Sequence, residues 1–138
     1  MTTLRGGCLC GAVRYETEAE PIFAGLCHCR DCLKATGAGF APYMGFKLAD
    51  LRISGETTRY TNLTDDGRPT SRLFCPICST IMFGDGGEDD RSGIITLYAG
   101  TLDDPSLFHP REIIFARSRP HWAVTADHLP THDTNPPQ

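Results

Sequence analysis

Seven cysteines in three short-spaced groups are the feature of this sequence that most constrains its fold. The groups are Cys8-Leu9-Cys10, the triplet Cys27-His28-Cys29-Arg30-Asp31-Cys32, and Cys75-Pro76-Ile77-Cys78. A single free cysteine is often an ordinary core residue, but seven in three clusters are not explained that way. An odd number of thiols also argues against a complete disulfide framework. The pattern therefore predicts metal binding or thiol catalysis.

Zinc accounts for all seven cysteines. It takes four protein ligands in a structural site, and three plus an open position in a catalytic one. We therefore predict two zinc ions per chain: a structural zinc bound by Cys8, Cys10, Cys75 and Cys78, and a catalytic zinc bound by Cys27, Cys29 and Cys32. The glycines beside the first pair (Gly6, Gly7 and Gly11) are expected to give its turn backbone freedom.

The fourth position of the triplet site is predicted to hold water or substrate. His28 lies between two ligands, so its ring should point away from the ion, and Asp31 is a harder ligand than zinc prefers beside thiolates. Three thiolates around Zn²⁺ leave a formal charge of about −1. Such an ion activates water poorly but suits a soft incoming thiolate. A redox role for Cys75-Pro76-Ile77-Cys78 is the alternative, although no helix is predicted after it to lower a thiol pKa.

Length and charge place further bounds on function. The chain has 138 residues, which suits one domain, and a net charge of −4. We expect a domain over residues 1–129 and a flexible polar, proline-rich tail over 130–138. Scattered basic residues argue against a nucleic-acid or membrane partner. The absence of a visible targeting or apolar segment favours a cytoplasmic location, and oligomeric state is left open.

Short alternating segments predict an all-β fold with short helical turns. Candidate strands cover residues 12–17, 22–27, 39–46, 51–54, 57–61, 71–75, 80–84, 93–99 and 112–117. A helical turn is expected over 31–36, ended by Gly37. Glycine, aspartate, asparagine or proline separates most of these segments.

The sequence resembles the glutathione-dependent formaldehyde-activating enzyme family, which shares a domain with centromere protein V. The resemblance is carried by the three cysteine motifs, by Gly100-Thr101-Leu102-Asp103-Asp104-Pro105, and by the segment from Glu112 to Trp122. It implies a zinc-stapled β-tent fold and the same division of the cysteines into structural and catalytic sites. It also implies carbon–sulfur lyase activity like that of S-(hydroxymethyl)glutathione synthase, with a small thiol such as glutathione as substrate. The alternative is a non-catalytic, zinc-stapled binding module.

Several other residues are candidates for lesser roles. Phe108 and Trp122 are expected in the core rather than in a substrate pocket. His109 and His121 are expected at the surface, with proton transfer as the alternative. Arg30 is expected either to offset thiolate charge and bind a carboxylate, or to be solvated. The acidic stretch from Asp85 to Asp90 is predicted to be a solvated turn rather than a calcium loop.

Overall fold

The computed structural model describes residues 2–123 and 129–137, and strands dominate it. In chain order the elements are β1 (Leu4–Gly7), β2 (Arg14–Thr17), β3 (Phe23–Cys27), α1 (Arg30–Thr36), β4 (Ala41–Lys47), β5 (Arg52–Ser54), β6 (Thr58–Leu63), β7 (Pro69–Phe74), β8 (Ile81–Asp85), β9 (Ile94–Tyr98) and β10 (Glu112–Ile114). Short 3₁₀ turns cover Leu48–Asp50, Ala99–Thr101, Pro105–Leu107, Ala116–Ser118 and His121–Ala123. The predicted all-β class with a short helical segment is confirmed.

The strands form two sheets. A three-stranded sheet has the order β1-β2-β5, and a seven-stranded sheet has the order β10-β3-β4-β9-β8-β7-β6. Neighbouring strands are antiparallel except β10, which pairs with β3 in parallel. Because β10 comes last in the chain yet lies beside β3, it packs against the strand that leads into the cysteine triplet.

The main hydrophobic core lies between the two sheets. Tyr15 comes from the small sheet and Val13 from the turn just before β2, while Met44, Phe83 and Leu97 come from the large sheet; all five are almost fully buried. The rings of Tyr15 and Phe83 meet edge to face with centroids 5.8 Å apart. Burying large apolar side chains contributes about 1.5–3 kcal/mol each, so this core is the main force holding the sheets together.

Strand β1 was not predicted from the sequence, and the expected role of two glycines was wrong. Leu4-Arg5-Gly6-Gly7 has the composition of a turn, yet it pairs with β2 along its whole length. A Cβ on Gly6 would lie 2.2 Å from Tyr15 Oη and 2.4 Å from the Thr101 carbonyl oxygen. Gly6 therefore permits close packing, whereas only Gly11, at φ +83°, supplies the turn conformation beside Cys10.

Two other boundaries have clear local causes. Helix α1 ends where predicted, because Gly37 takes a left-handed conformation (φ 68°) and its N–H bonds to the Leu33 carbonyl. Strand β10 stops at Ile114, earlier than the predicted 112–117, because Phe115 adopts φ 54° and ψ 39°. No helix among the described residues is long and apolar enough to cross a bilayer. Residues 129–137 contain no helix or strand, and the flexibility of the tail stays a prediction.

Candidate metal centres

The first cysteine cluster joins the turns of two hairpins, one from each sheet. Cys8 and Cys10 lie in the turn between β1 and β2, and Cys75 and Cys78 lie in the turn between β7 and β8. The four Sγ atoms all lie within 4.8 Å of one another. An ion bound there would connect the small sheet to the large sheet.

The sulfur spacings in this cluster fit a tetrahedral zinc site. Cys10 Sγ is 3.6 Å from Cys8 Sγ and 3.7 Å from Cys75 Sγ. Four thiolates at about 2.3 Å from zinc would lie about 3.8 Å apart. All seven cysteines are free thiols. The donor type, number and spacing therefore fit one zinc ion.

Backbone and side-chain donors surround these sulfurs. The Val13 amide donates to Cys8 Sγ (3.2 Å) and the Ile77 amide donates to Cys75 Sγ (3.4 Å). Hydrogen bonding with the Thr80 hydroxyl and then with the Thr80 amide lowers the pKa of Cys78 to about 5. Such donors favour the thiolate form that a metal requires and orient the ligands.

The redox alternative for Cys75 and Cys78 lacks its structural requirement. Ser79 follows them in a left-handed conformation (φ 67°), and the chain then enters strand β8. No helix follows to lower a thiol pKa through its dipole, as the sequence predicted.

The second cluster forms where β3 meets α1. Cys27 is the last residue of β3, Cys29 is the N-cap of α1, and Cys32 lies in its first turn. The three Sγ atoms lie within 4.8 Å of one another, and those of Cys27 and Cys32 are 3.5 Å apart. This spacing also suits ligands of one zinc ion. The two predicted groups of cysteines are thus brought together as separate clusters.

Hydrogen bonds within the triplet favour the thiolate form of Cys29. Hydrogen bonds with the thiols of Cys27 and then Cys32 lower the pKa of Cys29 to about 2, and the Cys32 amide donates to the same sulfur at 3.2 Å. The pKa of Cys32 is raised in turn, first through Cys27 and then through Cys29. The cluster is therefore arranged to stabilise a thiolate even among its own thiols.

The local candidates for a fourth ligand are engaged elsewhere. The buried His28 ring has its Nδ1 2.7 Å from the Gly39 carbonyl oxygen, so it faces away from the sulfurs as predicted. The Asp31 carboxylate accepts a hydrogen bond from the Asn62 amide at 3.2 Å. Within residues 2–123 and 129–137, no histidine or carboxylate joins the triplet in a metal-binding group.

Two cavities border the triplet, each through a different cysteine. One, of about 290 Å³, is bounded by Cys29, Arg30, Arg68, Phe115 and Arg117, among others. The other, of about 250 Å³, is bounded by Cys32, Arg72 and Tyr98, together with residues of β7, β8 and β9. Each cavity can bring a small molecule next to a cysteine of the triplet.

The sequence analysis missed Arg72 and Tyr98. Both occupy ordinary strand positions, in β7 and β9, and neither belongs to a motif. Arg72 is only 9% exposed, and burial raises the pKa of Tyr98, so its hydroxyl keeps its proton at neutral pH. The only sign of this role in the sequence was an arginine inside a predicted strand. Before the sheets are assembled, such an arginine cannot be distinguished from one at the surface.

The remaining candidates are distributed as follows. Phe108 packs against the core as predicted, but the core prediction for Trp122 was wrong, since it is 62% exposed beside Gly39. His109 and His121 are both exposed. Arg30 is exposed and borders the cavity at Cys29.

The acidic stretch is a turn, but it is not fully solvated. Asp85 is half-buried and forms a bidentate ion pair with Arg59, with N–O distances of 2.5 and 2.9 Å. The Asp90 carboxylate accepts hydrogen bonds from the amides of Gly86 and Ser92. The prediction of a solvated turn is therefore wrong for Asp85, because Arg59 lies across from it on β6.

Comparison with known proteins gives a family and a structural neighbour. The family model for the glutathione-dependent formaldehyde-activating enzyme matches residues 3–118. A crystal structure of a Rhodobacter sphaeroides protein, solved in a structural genomics programme, is 25% identical, with a TM-score of 0.52, and the match covers 72% of this chain and 87% of that one. None of the curated proteins compared with the chain matches it.

The fold and the two clusters define an all-β protein with one four-cysteine and one three-cysteine group, each able to hold zinc. The match over residues 3–118 spans most of the sequence. The chain belongs to the glutathione-dependent formaldehyde-activating enzyme family.

Proposed function

We propose that the protein is a zinc-dependent carbon–sulfur lyase that acts on the adduct of a small thiol, such as glutathione, with an aldehyde. Cys8, Cys10, Cys75 and Cys78 would hold a structural zinc, and Cys27, Cys29 and Cys32 a catalytic one. The observation that carries this proposal is the contrast between the clusters. Four sulfurs complete one tetrahedron, whereas three sulfurs leave one position for which the described residues offer no histidine or carboxylate.

The ligand set favours sulfur chemistry over hydrolysis. Zinc held by three thiolates would favour the deprotonated form of an incoming thiol without activating water strongly. A thiol in the cavity at Cys29 or in the cavity at Cys32 would lie beside a cysteine of the triplet. The name of the family, which refers to glutathione and formaldehyde, supports the same substrate class. In the predicted cytoplasmic location, reducing conditions would keep all seven cysteines free.

In the synthetic direction, the thiol sulfur forms a bond to the carbonyl carbon of the aldehyde, and the proton released by the thiol passes to the carbonyl oxygen. The reverse direction breaks the same carbon–sulfur bond. Tyr98 borders the cavity at Cys32 and keeps its proton at neutral pH, so its hydroxyl would be the donor of a hydrogen bond to the oxygen that gains charge. Cys27, Cys29 and Cys32 position the reacting sulfur.

Turnover of the zinc-loaded protein with glutathione and formaldehyde tests the proposal. Formation of S-hydroxymethylglutathione can be followed by ¹³C NMR exchange between labelled formaldehyde and the adduct. The enzyme should accelerate this exchange above the spontaneous rate, and Cys29→Ser should return it to that rate. If a panel of small thiols and aldehydes gives no acceleration and the protein retains only one zinc, the non-catalytic binding module is the correct description.

A further inference from the structure

Arg72 carries a buried positive charge for which the structure offers no carboxylate. Its side chain is 9% exposed, and among the described residues it forms no ion pair. Nη1 donates to Asn62 Oδ1 at 3.1 Å, while the buried Nε has no hydrogen-bond partner. Burying a charge costs free energy unless an opposite charge compensates it. A negative charge is therefore expected close to Arg72.

The carboxylates near Arg72 are already bound to other groups. Asp85 is paired with Arg59, Asp90 accepts from two backbone amides, and Asp31 accepts from Asn62. The remaining negative charge close by is that of the cysteine triplet. Arg72 and Cys32 border the same cavity.

We infer that Arg72 is the counter-cation of the three-cysteine site, and that it positions and stabilises the three thiolates and an anionic thiol that joins them. This inference rests on the proposed function for the incoming thiol only. By formal counting, three thiolates and Zn²⁺ carry −1, and the guanidinium brings the local sum to zero. A further thiolate would otherwise enter a site that already has a net negative charge. Arg72 lowers that electrostatic barrier, because the charge of a buried side chain is only weakly screened by solvent and salt.

Zinc affinity measured without substrate tests the inference. We would titrate the zinc-loaded protein with a chromophoric chelator and resolve the two sites by their order of release. In Arg72→Gln the three-cysteine site should bind zinc at least about tenfold more weakly, while the four-cysteine site keeps its affinity and shows that the protein is folded. Arg72→Lys, which retains the charge but loses the planar fork, should recover most of that affinity. Arg52→Gln is the matched control, because Arg52 pairs with Glu16 and Glu18 on the small sheet.

A second readout follows the incoming thiol. In protein with Co²⁺ at the three-cysteine site, added 3-mercaptopropionate should change the thiolate-to-cobalt absorption, and Arg72→Gln should need at least about tenfold more of it. Equal zinc affinity in the wild type and Arg72→Gln would overturn the inference. If Arg72→Gln does not fold, a tenfold loss of zinc affinity in a folded Arg72→Lys would overturn it as well. The zinc measurement involves no turnover. An absence of lyase activity would therefore count against the proposed function but not against the role of Arg72 in zinc binding.

Discussion

The Sγ atoms of Cys10 and Cys75 lie 3.7 Å apart, although 65 positions separate the two residues in the chain. Cys10 belongs to a turn of the small sheet and Cys75 to a turn of the large one. One ion at this point would therefore close a long loop and fix the relative position of the sheets. The apparent binding energy of a structural zinc, on the order of 10–16 kcal/mol, is comparable with the whole stability of a domain.

Replacing Cys78 with serine is expected to unfold the protein. The substitution leaves only three thiolates in a cluster that fits zinc with four. It also removes the Cys78 sulfur, whose thiolate form is stabilised by hydrogen bonding with Thr80. We expect the cooperative thermal transition, followed by circular dichroism, to disappear. Zinc content measured by atomic absorption should fall at the same time. A variant that retains the wild-type melting temperature would show that this cluster does not stabilise the fold.

The same substitution at Cys29 should have the opposite profile. Cys29 lies just after β3, at the start of a seven-residue helix, and its cluster does not join the two sheets. We expect Cys29→Ser to lose one zinc and to lower the proposed lyase activity at least about 100-fold, with the melting temperature nearly unchanged. Metal content, melting temperature and activity should be measured on both Cys29→Ser and Cys78→Ser. The chemical change is the same in both variants, so any difference between them comes from the site. Equal destabilisation of both variants would contradict the division into structural and catalytic zinc.

Gly6→Ala is expected to destabilise the protein by about 1–3 kcal/mol, the usual cost of overpacking a filled site. The new methyl group would overlap the Tyr15 hydroxyl and the Thr101 backbone, and the backbone cannot move aside easily. Gly100→Ala is the control, since a Cβ there has no heavy atom within 4 Å and Gly100 is not in a left-handed conformation. Urea unfolding at saturating zinc gives both free energies of unfolding. The expectation fails if the two variants have the same midpoint.

Because of Tyr15, the free energy of unfolding is expected to decrease at alkaline pH. Burial raises its pKa from 10.0 to about 12, although the hydrogen bond with Thr101 acts in the opposite direction. Above pH 10 the unfolded chain releases this proton while the folded chain retains it, so the free energy of unfolding decreases as pH rises. The slope approaches about 1.4 kcal/mol per pH unit between pH 10 and about 12.

Tyr15→Phe should remove this component of the pH dependence, measured as the free energy of unfolding in urea from pH 9 to 12. Thr101→Val is the control, because it removes the hydroxyl partner and leaves the phenol in the core. We expect Thr101→Val to keep the alkaline decrease. A Tyr15→Phe profile parallel to that of the wild type would show that the phenol does not titrate differently on unfolding.

The sequence anticipated most strands, and the reason is local. Alternation in a segment such as β2 reflects burial on one face of the strand, which a short window records. It did not reveal β1, because Gly6 and Gly7 have little strand preference of their own. Pairing with β2 imposes their conformation, and the Tyr15 ring packs against Gly6.

The identity and grouping of the cysteines were determined by the sequence alone. Ligand type and the spacing within each short motif are local properties, so two clusters of four and three sulfurs could be predicted before any fold was known. Tertiary structure decided what surrounds them. It brought Arg72 and Tyr98, from strands without a motif, beside the triplet, and it turned His28 and Asp31 towards other partners. Burial and long-range pairing depend on the assembly of both sheets, and no short stretch of sequence encodes them.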